Sequence, residues 1–172
     1  FESQEKELQA LKDNRIDMIF HMNQNPYEAE QNDIILSNTV FEVNVAVLTG
    51  VEKFDENRKN TVAVSRNNLL GKWYISFNYP FWKIKEYDSS AEVEKAVHSG
   101  EADCFVVKAG QSLKTLANSK MHSVFLTKPG DSCFAVTREN ITLMNILNKT
   151  IQTLPASRLS GLFSVYENAP GR

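Results

Sequence analysis

Apolar residues along the first fifty positions change their spacing in a way that marks out separate elements. From Glu2 to Asp13, Leu8 and Leu11 share one side of a segment otherwise rich in charged and helix-favouring residues, and the pattern breaks at Asp13-Asn14. This predicts a helix leading into a strand, Ile16 to Phe20. A polar loop from His21 to Asn32 is expected next, holding Pro26 and several amide side chains. Loops at strand ends are where ligands sit in open α/β sheets. Ile34-Ile35-Leu36 reads as a short strand, and the β-branched run Val40 to Leu48 as a long one. The charged, apolar-poor stretch Thr49 to Asn60 then predicts a link between two lobes.

From Thr61 onward, strands and helices alternate. Strands are expected at Thr61 to Ser65, Trp82 to Tyr87, Cys104 to Val107, Ser123 to Leu126 and Ser132 to Val136, with helices near Asn68 to Tyr74, Ala91 to Ser99 and Ser112 to Asn118. Ser89 with Glu92 three residues later forms a capping-box pattern, and Gly100 closes the helix they begin. Such alternation implies a mainly parallel sheet with right-handed crossovers. Leu143, Leu147, Ile151 and Leu154 then mark one helical face, stopped by Pro155, and a second short helix follows from Ala156 to Tyr166.

With 172 residues, 42% hydrophobic and 23% charged, the chain is long enough for one domain or two small lobes with real cores. A formal charge of -2, with no basic run interleaved with aromatics, gives charge no hold on nucleic acid or an anionic membrane. No apolar stretch approaches the roughly 20 residues of a spanning helix, and Phe1-Glu2-Ser3-Gln4 lacks the charge-then-apolar order of a signal peptide. Cys104 and Cys133 both lie in apolar, strand-like runs. Two buried free thiols are expected there, with a disulfide between neighbouring strands left open.

Enzyme signatures do not emerge. His21, His98 and His122 have no spacing that pairs them with each other or with the cysteines as metal ligands. Gly50 is isolated and Gly100 follows a helix instead of preceding one, so no phosphate loop is encoded, and there is no Gly-x-Ser-x-Gly elbow. No catalytic residue, metal or cofactor is therefore expected. Glu28 and Glu30 could pair as catalytic carboxylates or be two solvated loop acids. The segment holding Trp73, Tyr74, Phe77, Tyr79, Phe81 and Trp82 could stack a ring-bearing ligand or pack a helix onto a sheet.

Four segments carry a resemblance. Ala10-Leu11-Lys12-Asp13-Asn14-Arg15-Ile16-Asp17-Met18-Ile19 resembles the "aLksGkiDvi" segment of bacterial extracellular solute-binding proteins of the polar amino-acid type. Ile34-Ile35-Leu36-Ser37-Asn38-Thr39-Val40-Phe41 resembles their "vdFSdPYf", Glu86-Tyr87-Asp88-Ser89 their strand-to-helix "yds" step, and Ser99-Gly100-Glu101-Ala102-Asp103-Cys104-Phe105-Val106-Val107 their "GevDavi". The order of the four matches the family over nearly the whole chain. The resemblance implies an α/β, two-lobed periplasmic-binding-protein type II (Venus-flytrap) fold whose lobes, joined by a two-strand hinge, close over a small ligand. The family's opening strand-helix-strand unit has no counterpart here, so the first lobe is expected to be incomplete at its N-terminus. The expected organisation is a partial first lobe and hinge strand over 1–48, a second lobe over 49–136, and a return to the first lobe with C-terminal helices over 137–172.

Such domains act as transport receptors or as extracellular inputs of membrane signalling proteins. The family's ligand-carboxylate arginine falls at Glu30 or Ala29, and no Arg or Lys occurs between Arg15 and Lys53. Its second-lobe acid falls at Lys108, and its glycine-and-hydroxyl loop is replaced by Arg66-Asn67-Asn68. Both charge partners are exchanged in sign, so an α-amino acid gripped in the family's usual way is not expected. A pocket of altered specificity and a degenerate domain signalling through protein contacts or dimerisation both remain open, and a periplasmic lyase is a third alternative. The resemblance places ligand contacts at Asn23, Gln24, Glu28, Glu30, Ser37 and Asn38 in the first lobe and at Ser65, Arg66, Asn67 and Lys108 in the second. The expected protein is a non-enzymatic sensor, extracellular or periplasmic and tethered to the cytoplasmic membrane in a longer chain. Its expected partners are a small polar solute, the signalling domains of that chain and a second copy, and no nucleic acid.

Overall fold

Helix α1, Gln4–Lys12, ends where Asn14 adopts a left-handed backbone (φ 54°), its amide reaching Leu11 O at 3.0 Å while Arg15 N reaches Ala10 O at 2.9 Å. This closing turn is what a helix C-terminus with orphan carbonyls requires. It also takes up the residues expected to begin the next strand, so β1 runs from Ile19–Met22 and includes His21, expected in the loop. The computed structural model describes residues 3–108, 120–155 and 157–158.

The chain divides into two compact units: a larger one, Phe1–Gln9 with Val43–Gly130, and a smaller one, Ala10–Glu42 with Asp131–Arg172. In the smaller unit the expected polar loop contains a helix, α2, Pro26–Gln31. Asn25 caps it by accepting from Glu28 N at 3.1 Å, and Pro26 occupies its start, where a missing N–H costs nothing. β2 (Ile34–Leu36) and β1 flank β9 (Gly130–Thr137) on either side, both antiparallel to it, and β3 (Phe41–Val43) also pairs with β9. The register sets Ile19 opposite Ala135 and Ile34 opposite Thr137. Leu11, Ile19, Ile34, Ala135 and Met144 are buried in this unit, the leucine, isoleucines and methionine each contributing about 1.5–3 kcal/mol. Met144 comes from α5, Ile141–Thr153, capped by Asn140. Leu143, Leu147 and Ile151 lie half-buried on that helix, as the spacing predicts, while Leu154 is exposed.

The larger unit holds a five-stranded sheet in the order β6 (Lys83–Tyr87), β5 (Thr61–Ser65), β7 (Cys104–Lys108), β4 (Val45–Thr49) and β8 (His122–Phe125). β5 is parallel to β6 and to β7, whereas β4 is antiparallel to β7 and to β8. The sheet is mixed, and the mainly parallel expectation is corrected on this point. The run Val40 to Leu48 is also two strands, not one: Asn44 separates β3 and β4, which join different sheets. All five residues of β4 are buried, as in a strand covered on both faces. The Ser132 to Val136 strand, expected in the second lobe, is part of β9 in the sheet with β1 and β2.

Helices α3 (Leu69–Asn78) and α4 (Ser90–His98) follow β5 and β6. Val93, Ala96 and Val97 of α4 share a core with Leu48, Ala63 and Phe105. Gly100, with φ +75°, supplies the left-handed residue after α4. The helix expected at Ser112 to Asn118 and most of that at Ala156 to Tyr166 lie outside the described residues. Cys104 and Cys133 are buried free thiols on strands of different sheets. No helix among the described residues is long and apolar enough to cross a membrane.

Candidate functional site

The carboxyl end of β5 meets the amino ends of α3 and α4 in the larger unit. Asn68 caps α3 by accepting from Gly71 N at 2.9 Å, and Ser89 caps α4 by accepting from Glu92 N at 3.3 Å. Glu92 returns a bond, from Asp88 N at 2.9 Å, so the capping box closes one residue earlier than its usual form. Between these helices and the sheet lies a pocket of about 190 Å³, lined by Ser65, Asn68, Ser90, Glu94, Val93 and Val107 among others. Pockets for drug-sized ligands run to roughly 300–1,000 Å³, so this one has room for a small solute or one end of a larger one. The ends of parallel strands beside helix amino termini are a favourable place for polar ligands, since backbone N–H groups converge there.

Ser65 is half-buried in the wall of this pocket, whereas Asn67 is exposed beyond it. Arg66 is fixed through its backbone, Arg66 N to Tyr87 O at 2.8 Å, and its guanidinium pairs with Asp88 at 3.0 Å. Both partners of that pair are mostly exposed, so it is weak and can be exchanged for another anion. Lys108 ends β7 opposite Val45.

The candidates of the smaller unit behave differently. Ser37 is buried, donates to Asn38 O at 2.8 Å and accepts from Phe134 N at 2.9 Å, so its hydroxyl braces the end of β2 and is not offered outward. Gln24 donates to Ser37 O at 2.6 Å, and Asn38 N is held by Asn148 Oδ1 at 2.8 Å. Asn23 follows β1 half-buried, Glu28 is half-buried on α2 and Glu30 is exposed on it. Gln24, Ser37 and Asn38 are thus brought together, but by bonds to each other's backbone and to α5.

One cluster escaped the sequence reading. His21 sits at a bulge between Phe20 and Met22 with φ 75°, and its Nδ1 lies 2.8 Å from Ser132 Oγ. Its ring stacks on Phe41 at 6.4 Å, and Phe20 packs on Phe134 at 4.7 Å. Asp131, beside Ser132, has its pKa raised by burial and by the Glu42 charge. A left-handed histidine in a strand pattern leaves no periodic trace, which is why the spacing missed it. The aromatic segment is core: Trp73, Tyr74, Tyr79 and Trp82 are buried, although Phe77 and Phe81 remain exposed.

No family model and no curated protein sequence matches the chain. Solved structures do. The chain is similar to the periplasmic VFT2 domain of BvgS from Bordetella pertussis, with a TM-score of 0.63 and 22% identity over 95% of this chain and 73% of that one. It is similar to a solute receptor for L-cysteine from Neisseria gonorrhoeae, with a TM-score of 0.64 and 17% identity over 92% of this chain and 67% of that one. An ancestral amino acid-binding protein, AncCDT-1, described as a precursor of cyclohexadienyl dehydratase, matches with a TM-score of 0.59 and 17% identity over 91% of this chain and 72% of that one. At these identities the likeness establishes the fold: the chain has the two-lobed periplasmic-binding-protein type II, or Venus-flytrap, fold that the sequence resemblance implied.

Proposed function

We propose that this chain is a non-enzymatic ligand-sensing or solute-binding domain, extracellular or periplasmic, which takes up a small polar solute and passes its bound state to an attached membrane protein. The observation that carries this reading is the pocket at the end of β5, walled by Ser65 and the capped starts of α3 and α4. The fold it stands in is shared with a periplasmic sensor domain and amino-acid receptors. Ser65, Arg66, Asn67 and Lys108 are the proposed contacts in the larger unit, with Asn23, Glu28 and Glu30 in the smaller. Gln24, Ser37 and Asn38 are instead tied to one another, to Phe134 and to Asn148. In the larger unit by itself, Arg66, whose pair with Asp88 is exposed and weak, favours a solute that carries an anionic group. A solute that binds one arrangement of the chain more tightly shifts the population toward it, which is the signal.

Chemical-shift mapping tests the reading. Titration with amino acids, amines, organic acids, sugars and nucleosides is expected to give saturable amide shifts at Ser65, Asn67 and Val107 with one class. Saturable shifts confined to other residues would contradict the assignment of the pocket.

A second reading, an interaction or dimerisation module, draws on Phe20, 37% exposed on β1, and on Met18 just before it, 46% exposed; among the described residues β1 is an edge strand of its sheet. Unprotected edges invite pairing with another chain. Light scattering across concentration separates the two: a rising mass with no solute response favours the module.

A further inference from the structure

The loop joining β4 to β5 places Glu56 against the segment that follows β8. Its carboxylate accepts from Thr127 N at 3.0 Å, from the Thr127 hydroxyl and from Tyr79 OH at 2.9 Å, while its backbone carbonyl accepts from Trp82 Nε1 at 3.0 Å. Tyr79 and Trp82 are buried and stacked at 4.5 Å, so the carboxylate is anchored from a rigid wall. The neighbouring residues are tied by other groups. Leu126 N donates to Val45 O at 2.9 Å, Tyr74 OH donates to Lys128 O at 2.5 Å, and Lys128 Nζ donates to Asn78 O and lies 5.0 Å from the Tyr79 ring centre. Residues 126–128 are therefore fastened by backbone and side chain to the larger unit. The chain leaves that unit between Gly130 and Asp131.

We propose that Glu56 is the catch of a clasp that makes residues 126–128 a fixed part of the larger unit, so that this connection to the smaller unit bends first at Pro129, between the clasp and the start of β9. Glu56 is a positioning residue: two of its bonds end on Thr127, in the middle of a segment that is otherwise held by Leu126 N and the Lys128 contacts, and its bonds from Tyr79 and Trp82 tie it to the larger unit. The clasp is a property of the ligand-free chain and does not depend on which solute binds.

Hydrogen exchange of individual amides, combined with distances between one spin label in each unit, tests it on ligand-free protein. Glu56→Ala is expected to speed exchange at Thr127 by about tenfold, the loss of a charge-assisted bond, while amides of β5 and β7 keep their rates. The distance distribution should broaden. Glu56→Gln can keep the bonds at one oxygen and offer an N–H to the Thr127 hydroxyl, so it should restore most of the wild-type behaviour. Thr127→Val, which removes the hydroxyl but leaves the amide, should broaden the distribution less than Glu56→Ala. An unchanged distribution in Glu56→Ala, or exchange that accelerates equally through β5 and β7, overturns the proposal.

Discussion

Glu56 stays ionised in surroundings that partly oppose it. Burial pushes its pKa up, but the bonds from Thr127 and Tyr79 and the Lys128 charge outweigh that effect and hold it below its ordinary value. A depressed carboxyl pKa contributes stability that is present above the unfolded value, about 4.3, and is lost as pH falls through the folded one. The stability difference between wild type and Glu56→Gln, followed by denaturant unfolding, should therefore shrink below about pH 4. A difference that persists there would mean the charge plays no part. The two thiols show the opposite case. Burial, then the Asp131 charge, pushes Cys133 up to about 12, and burial with Asp103 raises Cys104 as well. Both stay neutral when folded, so the stability they contribute is full below the unfolded pKa of about 8.5 and falls as pH rises beyond it. A thiol reagent at mildly alkaline pH should label neither until the chain unfolds, and rapid labelling of the native protein would contradict their burial.

Helix starts were the elements easiest to read, and α3 shows how finely one is fitted. A Cβ added at Gly71 would stand 2.6 Å from the Asn68 amide nitrogen, the side chain that caps the helix. Alanine would gain about 1 kcal/mol of helix propensity but displace a cap of similar worth. Gly71→Ala alone should thus bring no stabilisation, whereas adding it to Asn68→Ala should recover about 1 kcal/mol in chemical denaturation. Additive effects of the two substitutions would show that the contact is not felt. Ser89, Glu92 and Gly100 were legible around α4 because capping chemistry is local. The same logic was available at α2, where Asn25 and Pro26 form a helix start, but the density of amides around them reads as a loop. The division of Val40 to Leu48 was not legible, since nothing in a continuous apolar run states which sheet each half will join.

At the scale of the whole chain, order and spacing of weak motifs pointed to the right fold, while sheet membership did not follow from local pattern. β9 returns to the smaller unit's sheet through long-range pairing with β1 and β2, which only tertiary contacts decide. The candidate site was partly legible. The strand-end position of Ser65 and Arg66 follows from alternation of strands and helices, but the internal bonding of Ser37 and the bulged His21 depend on neighbours a hundred residues away. Whether a small polar solute is held by this fold is decided by a thermal-shift screen. Amino acids, amines, organic acids, sugars and nucleosides would be titrated against the folded chain. A saturable rise in Tm with one chemical class is expected, equivalent to about 2.7 kcal/mol at a hundredfold excess over Kd, with no turnover of the compound. No rise with any class in a cooperatively unfolding sample would contradict the proposed function.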